Sequence, residues 1–314
     1  MKLQTIVDIK PSQWHLGYED KILMLGSCFA DSIGEQMSQR GLDVTINPFG
    51  TLYNPLSIAQ AINFQLSDFS QLSTFKIWHC QIIVPFRAKN SQLIIHHDGL
   101  WHSMAHHGSF SRPTKEETEQ AVKASIETMQ KALSESSVII VTFGTAWVYE
   151  MNGHVVANCH KLPESSFTRR RLSVEEIVAA WQPILDRYPD KHWIFTVSPI
   201  RHIRDGLHEN QLSKATLLMA VERLVNQSVS PQDGLSAKRS VLCQAKPVYF
   251  PSYEIMLDEL RDYRFYADDL VHPSSLAVNY IWERFADTFC TPQTRNEMNI
   301  RLKQWKQSQH RPLH

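Results

Sequence analysis

Short apolar runs alternate along the chain with amphipathic stretches. Residues 21–25, 43–46, 138–143, 193–197 and 247–250 read as buried strands, and helical patterns lie between them. Asn54 caps a segment that opens with Pro55, while Thr114 with Glu117 and Ser173 with Glu176 form capping boxes ahead of long amphipathic stretches. Strand then helix, repeated, predicts an α/β fold: a flavodoxin-like, three-layer, doubly wound parallel sheet whose ligand site lies at the carboxyl ends of its strands. Residues 74–111 break the alternation. They are rich in β-branched, aromatic and histidine residues without a helical period, and they predict a β-rich insertion. One domain is expected over residues 1–291, followed by a C-terminal helix and polar tail over 292–314 that ends in a basic, frayed segment.

Composition narrows the function. The 314 residues carry 32 Lys+Arg against 32 Asp+Glu, so no overall charge draws a polyanion, and the one local basic run, Arg169 to Arg171, does not make a groove. Nucleic acid is not an expected partner. No stretch of about 18 apolar residues occurs, and MKLQTIVDIKPSQW has no basic-then-apolar leader pattern, which predicts a cytoplasmic protein without a membrane partner. Nothing in the composition sets an oligomeric state. The five cysteines (Cys28, Cys80, Cys159, Cys243, Cys290) are odd in number and include no C-x-x-C pair, which argues against a disulfide framework and a zinc ribbon alike.

The residues after each strand are where chemistry is expected. The first strand runs out through Gly26-Ser27-Cys28 into a helix near residues 31–39, placing Ser27 and Cys28 at a helix N-terminus. Backbone N–H groups there can hold an oxyanion, and the helix dipole is expected to depress a thiol pKa. The same residues also fit a purely structural turn, with Gly26 permitting the bend, Ser27 capping the helix and Cys28 filling the core. Asp269 and His272 stand three residues apart ahead of a helix that Ser274 can cap, a spacing that lets the carboxylate orient the ring. After the fourth strand, Arg201 and Arg204 are candidates for a substrate carboxylate or phosphate and His202 for a second acid or base, against the alternative of an ion pair with Asp205. Six histidines (His79, His96, His97, His102, His106, His107) crowd the insertion. With Asp98 the only acid between His79 and Ser111, contacts at a pocket rim are expected rather than a metal site. No cofactor motif is present: there is no G-x-G-x-x-G, Walker A loop or H-E-x-x-H.

Gly26-Ser27-Cys28-Phe29-Ala30 resembles the motif that names the GSCFA family. Asn47 to Pro55 (NPFGTLYNP), Asn158 to Lys161, Ser198 to His202 and Tyr253 to His272 look like further blocks of it. That family is similar in turn to the SGNH (GDSL-like) hydrolases, which implies a nucleophile after the first strand and a late D-x-x-H. Laying Gly-Asp-Ser over Gly26-Ser27-Cys28 favours Cys28 as nucleophile, with Ser27 second. The SGNH Gly-x-Asn-Asp block falls on Gly144 to Trp147, so Ala146 stands where an oxyanion-holding Asn is expected. A replacement is suggested by Asn152-Gly153, a type I′ turn signal that predicts the pairs Met151 with His154 and Trp147 with Asn158. Asn158 would then return to the mouth of the third strand, with His160 and Lys161 beside it for a substrate anion; the alternative is a solvated surface hairpin. Gly50 matches the second-block glycine, whose N–H also faces the oxyanion, or it simply makes a turn.

The resemblance and the residues together imply a cofactor-free esterase or acyl hydrolase acting on an acylated glycan or other small ester. An acyltransferase on the same site, or an inactive carbohydrate- or protein-binding module, are the alternatives.

Overall fold

In the computed structural model, residues 5–64, 94–226 and 245–309 are described. They run β1 (Lys21–Gly26), α1 (Cys28–Gln39), β2 (Asp43–Ile46), α2 (Pro55–Asn63), β3 (Ile94–His97), β4 (Leu100–Ser103), α3 (Lys115–Glu135), β5 (Val138–Phe143), β6 (Trp147–Met151), β7 (His154–Val156), β8 (Thr168–Arg171), α4 (Val174–Arg187), β9 (His192–Val197), α5 (Leu207–Asn226), β10 (Val248–Tyr249), α6 (Ser275–Phe289) and α7 (Pro292–Gln309). Five strands form one parallel sheet in the order β10-β9-β5-β1-β2. Counted within the sheet this is 2-1-3-4-5, the flavodoxin-type order, with its switch point between β1 and β5.

The inner strands β1, β5 and β9 read as continuous apolar runs because both faces are covered, whereas β2, expected to be buried, lies at the sheet edge with Asp43 exposed and residues 44–46 only partly buried. Leu23, Leu25, Ile139, Val141 and Phe195 point into a core shared with α2, α3, α4 and α5, whereas Ile22, Met24, Ile140 and Ile194 point into one shared with α1 and α6. The caps form as expected: Asn54 Oδ1 accepts from the Ser57 N–H, both capping boxes close, and Ser274 caps α6. Helix α1 begins at Cys28, three residues earlier than expected, because Ser27 takes the N-cap position.

Two departures lie beside the sheet. The turn at Asn152-Gly153 pairs Met151 with His154 as predicted, but the ladder ends at Val156, and Trp147 pairs with Arg171 of β8 instead of with Asn158. The cause is competition: the Ala157 N–H donates to the Met104 carbonyl, which pulls the chain away from β6. Strand β8 is the arginine run itself, and its charges are committed. Arg169 pairs with Asp205, Arg170 with Glu150 and Glu176, and Arg171 with Glu209. Of the region 74–111, residues 74–93 lie outside the described residues; β3 and β4 form an antiparallel pair, and a 3-10 turn at Gly108–Phe110 follows. Cys80, Cys243 and His79 likewise lie outside the described residues, as does the basic end at 310–314. Among the described residues no helix is long and apolar enough to cross a membrane.

Gly26 ends β1 at φ +132°, and a Cβ there would meet the Thr142 carbonyl oxygen at 2.1 Å. Gly153 also has positive φ, +77°, but opens onto free space. Gly153→Ala is therefore expected to cost about 1–2 kcal/mol from backbone strain alone. Gly26→Ala is expected to cost at least about 3 kcal/mol, since strain and a backbone collision add. Urea midpoints of the two variants check this, and equal losses would refute it.

Candidate functional site

The turn after β1 is built around Asn47. Its Oδ1 accepts from the Gly26 N–H at 2.8 Å, and its Nδ2 donates to Asp31 at 2.6 Å, so the end of β2 holds the end of β1 and the first turn of α1 together. Thr51 adds a second bond to the Asp31 carboxylate. Ser27 is buried, its N–H donates to the Thr142 carbonyl and its Oγ accepts from the Phe29 N–H. The hydroxyl is a cap. Cys28 is the first helical residue, half-buried, with Sγ 3.6 Å from His272 Nε2.

His272 is held by Asp269. One carboxylate oxygen accepts from the Val271 and His272 backbone N–H groups at 2.9 and 3.0 Å, and the other faces His272 Nδ1 at 2.6 Å. Those hydrogen bonds, the two backbone ones first, hold the Asp269 carboxyl down at about 2. An ionised carboxylate only accepts, so Nδ1 carries a proton, and in the neutral ring Nε2 is left to offer its lone pair to the thiol. The turn is closed by an Ala267 N–H to His272 carbonyl bond, with Leu270 at φ +57°. Cys28, His272 and Asp269 are thus joined by consecutive side-chain contacts.

The thiol is not depressed as expected. Burial, then the negative charge of Asp31, push Cys28 up from its ordinary value, and the helix N–H groups and Lys214 only partly offset them. Lys214, on α5, escaped the sequence reading. It is buried, and its ammonium donates to the Gly144 and Ser198 carbonyls at 2.7 Å each, joining the end of β5 to the end of β9. Burial pulls it down to about 7, with Cys28 acting in the other direction. Tyr53 was also missed. Its carbonyl accepts from the Gly144 and Thr145 N–H groups, and burial followed by the nearby Cys28 raises its hydroxyl pKa, so the phenol stays protonated beside the site.

The expected oxyanion donors fare unequally. The Gly50 N–H donates to the Asn47 carbonyl at 2.7 Å and the Ser27 N–H is committed to Thr142, so neither faces a ligand. Among the described residues no carbonyl outside α1 accepts from the Cys28 N–H, the first amide of the helix, which lies against its own thiol. Ala146 is buried, and its N–H donates to Ser213 Oγ. Asn158 uses its Oδ1 to accept from the His160 N–H, and no hydrogen bond between described residues joins it to the Cys28 turn.

His160 is no rim residue. It is buried, its Nε2 lies 2.8 Å from the Ser103 carbonyl, its ring lies 4.6 Å from that of His102, and burial takes it down to about 4. Lys161 follows it at φ +60° and is exposed. Burial first, then the nearby Lys214, lower His202 to about 3, which favours its neutral ring. Arg201 bonds the Leu270 carbonyl at 3.1 Å and lies beside the D-x-x-H loop, whereas Arg204 is exposed and Asp205 pairs with Arg169 rather than with either. Among the described residues no three His, Cys, Asp or Glu converge as metal ligands; His106 lies between Ser103 and Ser125 hydroxyls, and His107 caps the 3-10 turn.

The GSCFA family model matches residues 21–285, which span β1, the Cys28 turn and the Asp269–His272 loop. No curated protein and no solved structure matches the chain.

With the thiol pKa raised, alkylation of Cys28 by iodoacetamide is expected to be slow at neutral pH and to keep climbing beyond about pH 9. A rate that levels off below neutrality would instead reveal a resting thiolate–imidazolium pair.

Proposed function

The chain belongs to the GSCFA family, and we propose that it is an acyl hydrolase of SGNH-like design with Cys28 as nucleophile, His272 as base and Asp269 as orienting acid. The observation that carries this reading is the continuous line from Cys28 Sγ through both His272 nitrogens to the Asp269 carboxylate, at 3.6 and 2.6 Å. A thiol filling a core would not meet the lone pair of a ring fixed in that tautomer.

A raised thiol pKa makes His272 a general base in the transition state, not the partner of a standing thiolate. Sγ forms a bond to the ester carbonyl carbon as its proton passes to Nε2, and the Cys28 N–H receives the oxyanion. The tetrahedral adduct collapses, the alkoxide leaves with the proton from His272, and a thioester remains. Water, deprotonated by the same nitrogen, then releases the acid and restores the thiol. Lys214, buried beneath the turn and titrating near neutrality, favours the negative charge that develops on sulfur in its protonated form. Because His272 and Asp269 are about half exposed, an acceptor alcohol can also reach the thioester, which favours acyl transfer as the second reading.

Incubation with p-nitrophenyl acetate should release nitrophenol and leave an acetyl adduct on Cys28, seen by mass spectrometry before deacylation is complete. Cys28→Ala is expected to abolish turnover and Asp269→Asn to lower it on the order of 10²–10⁴-fold by presenting the wrong tautomer. Ser27→Ala should retain most of the rate and lose about 1 kcal/mol of stability through the cap. Turnover that survives Cys28→Ala but not Ser27→Ala would overturn the assignment.

A further inference from the structure

A cavity of about 150 Å³ opens beside the D-x-x-H loop, between the start of α5 and the segment 253–266. Volumes of this size accept a benzene ring. Pro199, Leu207, Met256 and Leu257 give it an apolar body, and the rings of Tyr253 and Tyr266 wall it. Its polar edge is Arg201, Asn210 and Gln211.

What those three groups have left to offer is one-sided. Asn210 uses its Oδ1 to accept from the His202 N–H at 2.9 Å, so its NH₂ remains. Gln211 uses its Oε1 to accept from the Tyr253 hydroxyl at 2.7 Å, so its NH₂ remains. Arg201 donates one N–H to the Leu270 carbonyl, keeps its other donors, and pairs with no carboxylate among the described residues. The acids beside its lining residues in sequence are engaged elsewhere: Asp205 with Arg169, Glu209 with Arg171, Glu254 with the Tyr249 hydroxyl and Asp258 with Arg261. Among the described residues no acidic one lines the cavity. A pocket whose two amide acceptors are satisfied internally, and whose one charge is an unpaired guanidinium, selects an acceptor-only, negative group on an apolar body.

We infer that this cavity is the subsite for one arm of the substrate, taking a ring-sized apolar group that bears a carboxylate or a phosphate. The inference rests on the acyl-hydrolase reading and names its substrate class. Its position follows from the chain: the Arg201 backbone N–H donates to the Val271 carbonyl and its guanidinium to the Leu270 carbonyl, both at 3.1 Å, so the residue that fixes the anion also braces the loop carrying His272.

Binding of benzoate, phenyl phosphate and benzyl alcohol to the full-length Cys28→Ala protein, measured by titration calorimetry, tests it without turnover. At least one anion should bind tenfold or more tightly than the alcohol, and the tighter of the two identifies the group. Gln211→Glu, which keeps the acceptor for Tyr253 and replaces the free donor with a negative charge, should erase that preference while the thermal midpoint stays within a few degrees. Equal affinity for all three probes, or an anion preference untouched by both Gln211→Glu and Arg201→Gln, overturns the subsite even if the Cys28 protein cleaves p-nitrophenyl acetate. Anion binding by the Cys28→Ala protein, combined with no acyl adduct on Cys28 of the unsubstituted protein, overturns the hydrolase reading, and with it the assignment of the cavity to an ester's arm.

Discussion

The placement of Cys28 depends on how closely β1 approaches β5 where the two strands end. Gly26 at φ +132° lets the Thr142 carbonyl pass where a side chain would lie, and the chain then turns at once into α1. Any other residue would push the strands apart or delay the helix, and Cys28 would no longer be its first residue. Asn47 completes the constraint by binding the Gly26 N–H and Asp31 together, so that strand end, helix start and the loop after β2 move as one body. Rigid placement of this kind lets a 3.6 Å contact form between residues 244 positions apart.

The same clamp has a chemical consequence. Asp31 is needed to hold Asn47, but its charge lies close enough to Cys28 to raise the thiol pKa, against the pull of the helix N-terminus. Burial acts in the same direction as Asp31 and is the larger effect. Two features oppose the carboxylate: the amides at the head of α1 and the buried ammonium of Lys214. The proposed reaction therefore resembles that of a serine hydrolase, in which the nucleophile stays protonated until the base takes its proton, more than that of a protease with a standing thiolate.

Much of this was legible in the sequence, for physical reasons that differ by element. A parallel sheet covered on both faces writes each inner strand as an apolar run, and helix caps are local contacts, so β1, β5 and the starts of α2, α3, α4 and α6 could be read residue by residue. Asp269 and His272 were legible because their contact spans three residues. Lys214 was overlooked although a signal existed: Asn210, Ser213, Leu217, Ala220 and Leu224 mark the buried stripe of α5, and position 214 falls on it. The fate of Asn158 had no local signature. It was decided by the Met104 carbonyl taking the Ala157 N–H and by β8 capturing Trp147, both long-range pairings that a two-residue turn cannot announce.

Exposure sets the last condition on the site. His272 and Asp269 retain 47% and 49% of their side-chain accessibility, and in water the attraction between unit charges a few ångströms apart falls to about 1 kcal/mol. In the proposed reaction, groups this wet would gain most of their electrostatic strength only when substrate displaces the water over them. Arg201 would link that displacement to recognition, since it lines the cavity beside the loop and bonds the Leu270 carbonyl two residues before His272. A ligand arm seated there would cover the loop and fix its backbone in the same event. Binding energy from a remote part of the ester would then be used to order and dehydrate the reacting groups, and a minimal ester lacking that arm would reach the same thiol at a much lower rate.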